Sequence, residues 1–352
     1  MTDASLPSRA LTHTADLLRH DLVRAADLPA LDRVAAEFRI RVTPAMQDAI
    51  ATPGDPVAAQ FVPDVAELTT RPEELLDPIG DAAHSPVPGL THRYPDRVIV
   101  HITKTCDVYC RFCFRRETVG ETGPLAAPDL ARALDYIAAT PAIREVILTG
   151  GDPLTLSARR LGDVLARLGA MDHVALVRLH SRVPVVAPER ITPALVDTLA
   201  AARPTVWLVV HTNHAQELVP EARAALARLA QAGVPLLSQS VLLRGVNDTV
   251  AALSDLFRAL LAVRVKPYYL HHCDLARGTS HFRTTIAEGR ALMAALRGHL
   301  SGTALPTYVL DIPGGFGKVP ITADHFTPGA APGRWHVTDW QGGVHDYTDP
   351  LR

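Results

Sequence analysis

Short apolar runs and amphipathic stripes alternate along the chain from about residue 98. The runs are rich in β-branched residues and are of strand length; they lie at 98–105, 144–153, 174–182, 205–214, 234–243 and 265–272, with a further one at 307–311. Between them, apolar residues recur at the helical spacing i, i+3, i+4, i+7, as at Leu130, Ala133, Leu134 and Ile137. One such helix is expected to begin with Thr192 as N-cap and Pro193 at its first position. The alternation predicts βα units around a parallel sheet.

Six or more such units in one run favour an α/β barrel or partial barrel, with a doubly wound open sheet as the competing fold. In both folds the loops after the strands carry the chemistry. The polar insertions of this chain fall where that rule expects them, at the carboxyl ends of strands. They are the cysteine loop at 106–113 and the segments GGDP, HSR, HTNH, SQS and HHCD.

The regions on either side of the barrel have a different character. Residues 1–92 are helical and polar and then rich in proline, which predicts a helical extension wrapped on a barrel core at 93–310. Residues 311–352 are rich in Gly, Pro and His with little periodicity, and are expected to form a short C-terminal segment.

Composition narrows the functional class. The chain has 352 residues, 47% hydrophobic and 20% charged, with a net charge of −2, which excludes global disorder and a disulfide-rich miniprotein. The absence of a basic excess argues against nucleic-acid binding. No apolar stretch is long enough to span a membrane, and the first residues lack a secretory pattern. We therefore expect a cytoplasmic protein that binds neither nucleic acid nor membrane.

Three of the four cysteines lie within eight residues, as Cys106, Cys110 and Cys113. An odd number of thiols in a reducing compartment argues against disulfides. Structural zinc usually takes four ligands, for which Cys273 or a histidine is available. Three thiolates on a four-iron cluster would instead leave one iron open for a ligand. The close spacing of the three cysteines, directly after a strand, favours a ligand-binding loop over cysteines that are merely buried.

Lysine is scarce, with Lys104, Lys266 and Lys318 against 32 arginines. An amine can lose its proton and form an imine, whereas guanidinium stays protonated. Lys318 follows the glycine-rich segment DIPGGFG, which would let a planar cofactor approach closely. This context favours a covalent role for Lys318 over a solvated surface charge.

Several long motifs together resemble the lysine 2,3-aminomutase family of the radical S-adenosylmethionine (SAM) superfamily, over about residues 30–325. They are SPVPGLTHRYPDRV, CRFCFRR, GGDP, LHSR, SQSVLLRGVND, CDLARGTSHFR and DIPGGFGKVP. The resemblance implies a partial (β/α)6 barrel of the radical SAM kind. It implies a [4Fe-4S] cluster on Cys106, Cys110 and Cys113, which binds SAM and reduces it to a 5′-deoxyadenosyl radical.

The resemblance also implies roles for other residues. Gly150, Gly151 and Asp152 match the segment that holds the methionine amino group of SAM, and His211 and Gln239 are candidate SAM contacts. Lys318 matches the lysine that forms an imine with pyridoxal 5′-phosphate (PLP), and Arg93 and Arg97 are candidate phosphate contacts. Arg115 matches the residue that pairs with the substrate carboxylate. Asp274 and Asp311 match the acids that hold a distal ammonium, where an anionic substrate such as glutamate would be repelled.

The implied reaction is migration of the lysine amino group from C2 to C3 to give β-lysine, with an electron donor such as flavodoxin or ferredoxin and a possible homo-oligomer. No cysteine follows Cys273, so the C-terminal zinc of longer members is not expected. CRFCFRR is closer to the branch that acts on a lysyl side chain of elongation factor P, so a translation factor is an alternative substrate. An arginine 2,3-aminomutase is a third possibility, and a non-catalytic iron–sulfur or metal-binding protein is the remote alternative.

Overall fold

A nine-stranded sheet dominates the computed structural model, which describes residues 9–120, 123–322, 324–339 and 341–349. The strands are β1 (Leu90–Tyr94), β2 (Arg97–Thr103), β3 (Glu145–Gly150), β4 (Leu176–Ser181), β5 (Thr205–His211), β6 (Leu236–Leu242), β7 (Lys266–His272), β8 (Thr307–Ile312) and β9 (Gly317–Pro320). They follow one another in chain order across the sheet. Strands β2 to β8 are parallel, while β1 and β9 pair antiparallel at the two edges. The predicted partial barrel of the α/β class is confirmed.

Helices connect the parallel strands. The helices are α1 (Thr14–Arg19), α2 (Leu28–Glu37), α3 (Pro44–Ala49), α4 (Ala58–Phe61), α5 (Ala127–Ala138), α6 (Ala158–Gly169), α7 (Val183–Val186), α8 (Pro193–Ala200), α9 (Pro220–Gln231), α10 (Val250–Ala262) and α11 (Ile286–Leu296). The predicted cap of α8 is confirmed, since the Thr192 hydroxyl accepts a hydrogen bond from the Leu195 amide. No helix in the described ranges has the length and apolar character needed to cross a bilayer.

Alternation along β6 places one set of its side chains in the core and the other set in a central cavity. In β6, Leu236, Ser238, Ser240 and Leu242 are buried on one face. Leu237, Gln239 and Val241 point to the other face and line a central cavity. Because side chains of a strand alternate between faces, one register fixes which residues reach the cavity. The prediction that SQS follows its strand is wrong: the triplet lies inside β6, and Gln239 reaches the cavity from the middle of the strand.

Backbone hydrogen bonds and ion pairs connect the N-terminal extension to the cysteine loop. The amide of Tyr109 donates to the carbonyl of Arg41, and that of Arg111 donates to the carbonyl of Gln60. Arg111 is 1% exposed and pairs with Glu67, also 1% exposed, at 2.9 and 2.6 Å. Arg116 pairs with the same carboxylate. Burial opposes ionisation of Glu67, but these two guanidinium groups hold its pKa below the ordinary value.

The C-terminal region contains more regular structure than its sequence pattern indicates. Beyond β9, the strands β10 (Phe326–Pro328), β11 (Arg334–Thr338) and β12 (Val344–Thr348) form a separate antiparallel sheet. Residues of β10 and β12 are exposed along their whole length. A strand without a buried face leaves no apolar alternation for a sequence to show.

Loss of the buried Glu67 carboxylate is expected to destabilise the fold and the cysteine loop together. Glu67→Ala leaves Arg111 and Arg116 without a counter-charge, and breaking a buried pair costs about 3–5 kcal/mol. Urea unfolding of the apoprotein measures the loss. Glu37→Ala, which removes the partly exposed contact to Arg277, is the control and should cost ~1 kcal/mol or less. Equal effects of the two substitutions would contradict this assignment.

Candidate active site

A cavity of about 720 Å³ lies inside the barrel at the carboxyl ends of the strands. It is lined by every candidate residue that the sequence singles out: Arg93, Arg97, Cys106, Cys110, Cys113, Arg115, Gly150, Gly151, Asp152, His211, Gln239, Asp274, Asp311 and Lys318. These residues come from segments spread over more than half of the chain. The fold therefore brings all of them to one chamber, as parallel strands in register require.

The cysteine loop follows β2 and exposes three free, partly buried thiols to this cavity. Burial raises the pKa of Cys113 to about 11 and raises that of Cys106 well above its ordinary value, so these two free thiols are protonated at neutral pH. Within the described residues, no three His, Cys, Asp or Glu side chains are arranged to hold one metal ion. A multi-iron cluster makes a different demand, because each thiolate binds a different iron.

Gly150 and Gly151 allow the end of β3 to approach the cysteine loop. Gly150 has φ +109°, and a Cβ on Gly151 would lie 2.3 Å from the carbonyl oxygen of Thr105. The amides of Gly151 and Asp152 donate to the carbonyls of Thr103 and Thr105. Any side chain at Gly151 would therefore push the loop away from β3. The two glycines are therefore required for the packing of the cysteine loop against β3, in addition to any contact with a ligand.

The Asp152 carboxylate accepts hydrogen bonds from other groups of the protein. Its Oδ1 accepts from the Leu154 amide and the Ser181 hydroxyl, and its Oδ2 accepts from the amides of Arg182 and Val183. Burial raises the pKa of this carboxyl to about 6 despite these donors. All four acceptor positions are in use. The geometry makes Asp152 a positioning residue for the turn at Ser181–Val183, and its contact with SAM stays a prediction.

Lys318 and Asp311 form an ion pair between neighbouring strands. Lys318 Nζ lies 2.5 Å from Asp311 Oδ1, and His271 Nδ1 donates to Asp311 Oδ2 at 3.1 Å. Burial alone would raise the pKa of Asp311, but His271 and Lys318 hold it well below the ordinary value. Asp274 behaves oppositely: burial and the charge of Asp311 raise its pKa to about 7. The two acids thus differ in charge state near neutral pH.

An aspartate of the N-terminal extension holds two of the candidate arginines. Asp81 Oδ2 accepts from Arg115 Nη2 at 2.7 Å, and Asp81 Oδ1 accepts from Arg93 Nη2 at 3.2 Å. Arg97 lies over the ring of Tyr94, 3.7 Å from its centroid. The amide of Lys318 donates to the Tyr94 hydroxyl at 2.9 Å. The β1–β2 hairpin that carries Arg93, Tyr94 and Arg97 therefore lies directly beside Lys318.

Sequence reasoning missed several polar residues that line the cavity. These residues include Arg178, His180 and His271; Arg178 and His180 alternate with buried residues on β4, a period-two signal that was available. Within the part of the chain that the structure describes, Nε2 of His180 and Nε2 of His211 are buried without a hydrogen-bond partner. Burial, aided by Arg178 for His180 and Arg182 for His211, holds both pKa values well below the usual range. Two neutral imidazoles thus offer hydrogen-bonding atoms to whatever fills the cavity.

Known proteins share both the barrel and the C-terminal region. The radical SAM superfamily model matches residues 100–256, and the lysine-2,3-aminomutase model matches residues 293–351. The L-lysine 2,3-aminomutase of Fusobacterium nucleatum is 41% identical over 97% of this chain and 80% of its own length. The chain belongs to the lysine 2,3-aminomutase family. It is accordingly an enzyme, an isomerase that acts on an amino acid.

Two further relatives show the range of this family. The L-lysine 2,3-aminomutase of Clostridium subterminale is 44% identical over 85% of this chain and 72% of its own length. The glutamate 2,3-aminomutase of Clostridioides difficile is 38% identical over 83% of this chain and 69% of its own length. Membership of the radical SAM superfamily supports a [4Fe-4S] cluster and SAM as cofactors. Family membership alone does not choose between a cationic and an anionic substrate.

The chamber fits the cofactors of this family on its own evidence. The three thiols share one wall, and His211 presents an unpartnered buried nitrogen. Near the β1–β2 hairpin, the backbone amide of Lys318 contacts Tyr94, and two arginines and Lys318 line the same cavity. The thiols suit a [4Fe-4S] cluster, which membership of the radical SAM superfamily supports.

Each cysteine of the loop is expected to be essential for the cluster. Cys106→Ala, Cys110→Ala or Cys113→Ala removes one of three iron ligands and should abolish cluster loading and SAM cleavage, measured as iron content and as 5′-deoxyadenosine formed after reduction. Cys273→Ala is the control, because Cys273 is 2% exposed and packs with Phe112 and Phe282. Loss of iron in Cys273→Ala would show that the ligand set is different.

Proposed function

We propose that this chain is a radical SAM, PLP-dependent 2,3-aminomutase that interconverts L-lysine and L-β-lysine. The observation that carries the proposal is the carboxylate pair in the cavity. Asp311 already binds a primary ammonium, that of Lys318, at 2.5 Å, and Asp274 lies close enough for the charge of Asp311 to raise its pKa. Two carboxylates in a chamber shielded from water suit a substrate that carries a distal cation, and they disfavour glutamate.

Lys318 shows how the substrate ammonium would be held. Its side chain ends in the same primary ammonium that free lysine carries, so the pair with Asp311 is a direct chemical surrogate for the substrate contact. Lys318 contacts Oδ1 of Asp311 and His271 contacts Oδ2, so a second cation would have to share an oxygen that is already engaged. Once the amine of Lys318 is committed to a cofactor, Asp311 loses this partner and is free for the substrate, with His271 still fixing its orientation.

The cofactor contacts are proposed from the hairpin beside Lys318. Arg93 and Arg97 flank Tyr94 there and suit a phosphate by their bidentate geometry. When bound, the cofactors would supply the 5′-deoxyadenosyl radical and the delocalised π-system that an amino migration requires. The residues around them supply position and exclude water. Gln239 and His211 face the chamber from neighbouring strands and are proposed to contact SAM, as are the glycines at 150 and 151.

The α-carboxylate of the substrate is assigned to Arg115. Its guanidinium is 16% exposed, faces the cavity and is already bound to a carboxylate, that of Asp81. A substrate carboxylate would share or displace that contact with little reorganisation of Arg115. Arg115 would thus bind the α-carboxylate of lysine, while Asp274 and Asp311 would bind its distal ammonium.

We propose that the enzyme takes its electron from a low-potential donor such as a flavodoxin or ferredoxin, that it forms a homo-oligomer, and that it acts in the cytoplasm. Arginine and the lysyl side chain of a translation factor are the competing substrates. A carboxylate pair also binds guanidinium, so turnover of free lysine, free arginine and the protein substrate by one preparation decides among them. Turnover of the protein substrate alone would overturn the proposal.

Neutralising Asp274 is expected to impair turnover of lysine by roughly two to three orders of magnitude. Removing one partner of a desolvated charge pair costs about 3–5 kcal/mol, at ~1.4 kcal/mol per factor of ten. The measurement is kcat/KM for Asp274→Asn with cluster and PLP contents determined in parallel. Asp311→Asn should behave likewise. Asp255→Asn, on the exposed face of α10, is the matched control, and wild-type kinetics in Asp274→Asn would show that the acid is only structural.

Binding of lysine is expected to strengthen as pH rises through about 7. The pKa of Asp274 lies near 7 because of burial and Asp311, so below it the carboxyl is neutral and attracts a cation less. The KM for lysine should rise up to about tenfold per pH unit below this pKa. Norleucine, which has the same α-amino group and no distal cation, should inhibit without this dependence. A pH-independent KM in the wild type would contradict the assignment, as would an unchanged profile in Asp274→Asn.

Substitution of Lys318 is expected to abolish covalent cofactor attachment. Lys318→Arg keeps a positive charge, but guanidinium does not condense with an aldehyde. Borohydride reduction followed by peptide mass spectrometry should find a pyridoxyl group on Lys318 of the wild type and none in the variant, while SAM binding survives. Lys266→Arg is the control, since Lys266 donates to the carbonyls of Pro267 and Leu305. A pyridoxyl group on Lys104 or Lys266 would reassign the cofactor lysine.

A further inference from the structure

Arg182 lies against one of the three cluster cysteines. Its Nη1 donates to Cys110 Sγ at 2.8 Å, and the residue is only 5% exposed. The turn that carries it is fixed by Asp152, which accepts from the Arg182 amide at 2.6 Å. The resemblance and the proposed reaction leave this arginine without a role.

A buried network holds the guanidinium in one orientation. Arg182 Nη2 donates to Glu217 Oε2 at 2.7 Å and to Gln60 Oε1 at 2.5 Å. The rings of Phe61 and Phe112 lie over the guanidinium carbon at 4.5 and 5.5 Å from their centroids. Arg182 therefore cannot turn away from Cys110 without leaving a carboxylate that is itself 0% exposed.

Glu217 is fixed independently of Arg182. Its Oε1 accepts from the amides of Asn213 and His214, each at 2.8 Å, and from Gln60 Nε2 at 3.0 Å. One amino group of the guanidinium faces the sulfur and the other faces this carboxylate, so the positive charge stands between Cys110 and Glu217. The sulfur thus meets the positive end of a buried, rigid dipole.

We propose that Arg182 tunes the iron–sulfur cluster by stabilising its reduced form. This inference rests on the proposed cluster at Cys106, Cys110 and Cys113. When a low-potential one-electron donor reduces the cluster, the electron adds one negative charge to the iron–sulfur core, and no proton or bond is exchanged. A cation that donates to a ligand sulfur stabilises this added charge, and the dry surroundings strengthen the effect. Arg182 is a positioning and electrostatic residue here and no iron ligand.

The network predicts opposite shifts for its two charged members. Arg182→Gln removes the cation beside the sulfur, so the midpoint potential of the cluster should become more negative. Glu217→Gln removes the anion behind it, so the potential should become more positive. Arg182→Lys keeps the charge and should lie closer to the wild type than Arg182→Gln. A purely structural role for the network would not produce shifts of opposite sign.

The experiment is a potentiometric titration of each reconstituted protein, monitored by electron paramagnetic resonance without SAM, with iron and sulfide content measured in parallel. Arg203→Gln is the control, since Arg203 is exposed and pairs with the exposed Asp172; the midpoint potential of this variant should not move. The double variant Arg182→Gln/Glu217→Gln removes both members of the buried ion pair, so it can be measured even if the protein with Arg182→Gln alone does not bind the cluster. Its midpoint potential should lie between those of the two single variants.

The outcomes separate the two proposals. Absence of iron in the wild type after reconstitution would overturn the cluster assignment itself. Iron-loaded variants with an unchanged potential, or with shifts of the same sign for Arg182→Gln and Glu217→Gln, would overturn the role of Arg182 while leaving the cluster in place. If the Arg182→Gln protein does not bind the cluster, an unchanged midpoint potential in the Glu217→Gln protein would also overturn the proposed role of Arg182.

Discussion

The packing of the N-terminal extension against the barrel depends on buried arginines that must be paired. Arg111 and Arg116 share Glu67, Arg93 and Arg115 share Asp81, and Arg182 is held by Glu217 with Gln60. Glu67, Asp81 and Gln60 belong to the segment before the barrel, whereas the arginines belong to the barrel and its cysteine loop. An unpaired charge in such surroundings is strongly unfavourable. The extension is therefore part of the chamber, because it supplies counter-charges that the barrel lacks.

Asp274 and Asp311 illustrate how one chamber produces different carboxyl groups. Asp311 is surrounded by His271 and Lys318 and stays ionised, while Asp274 is buried with fewer partners and has its pKa near 7. In the proposed substrate site, a cation would meet one fixed charge and one that it can help to create. The proposed recognition of a distal cation would thus depend on the environment of the acids as much as on their identity.

Periodicity was enough to predict the barrel, because β2 to β8 are long, apolar on a buried face and regularly spaced. Motifs indicated residues that the fold brings to one cavity, because the carboxyl ends of parallel strands converge. The pairings were not predictable: Asp81, Glu217 and Gln60 look like ordinary polar residues until the fold brings them to Arg115 and Arg182. The four protein donors around Asp152 were not predictable either, because its motif does not show them. The strands β1 and β10 to β12 were missed because they are short or exposed on both faces.

The contact between Lys318 and Asp311 also has a consequence for the order of assembly in the proposed enzyme. Before a cofactor is attached, an internal ammonium at effectively very high local concentration contacts one oxygen of the carboxylate that the proposed site offers to free lysine. The amino acid would therefore compete with the protein's own side chain at that oxygen. Attachment of a cofactor at Lys318, as proposed, would withdraw this competitor, so prior loading of the cofactor would favour entry of the amino acid without any movement of the barrel.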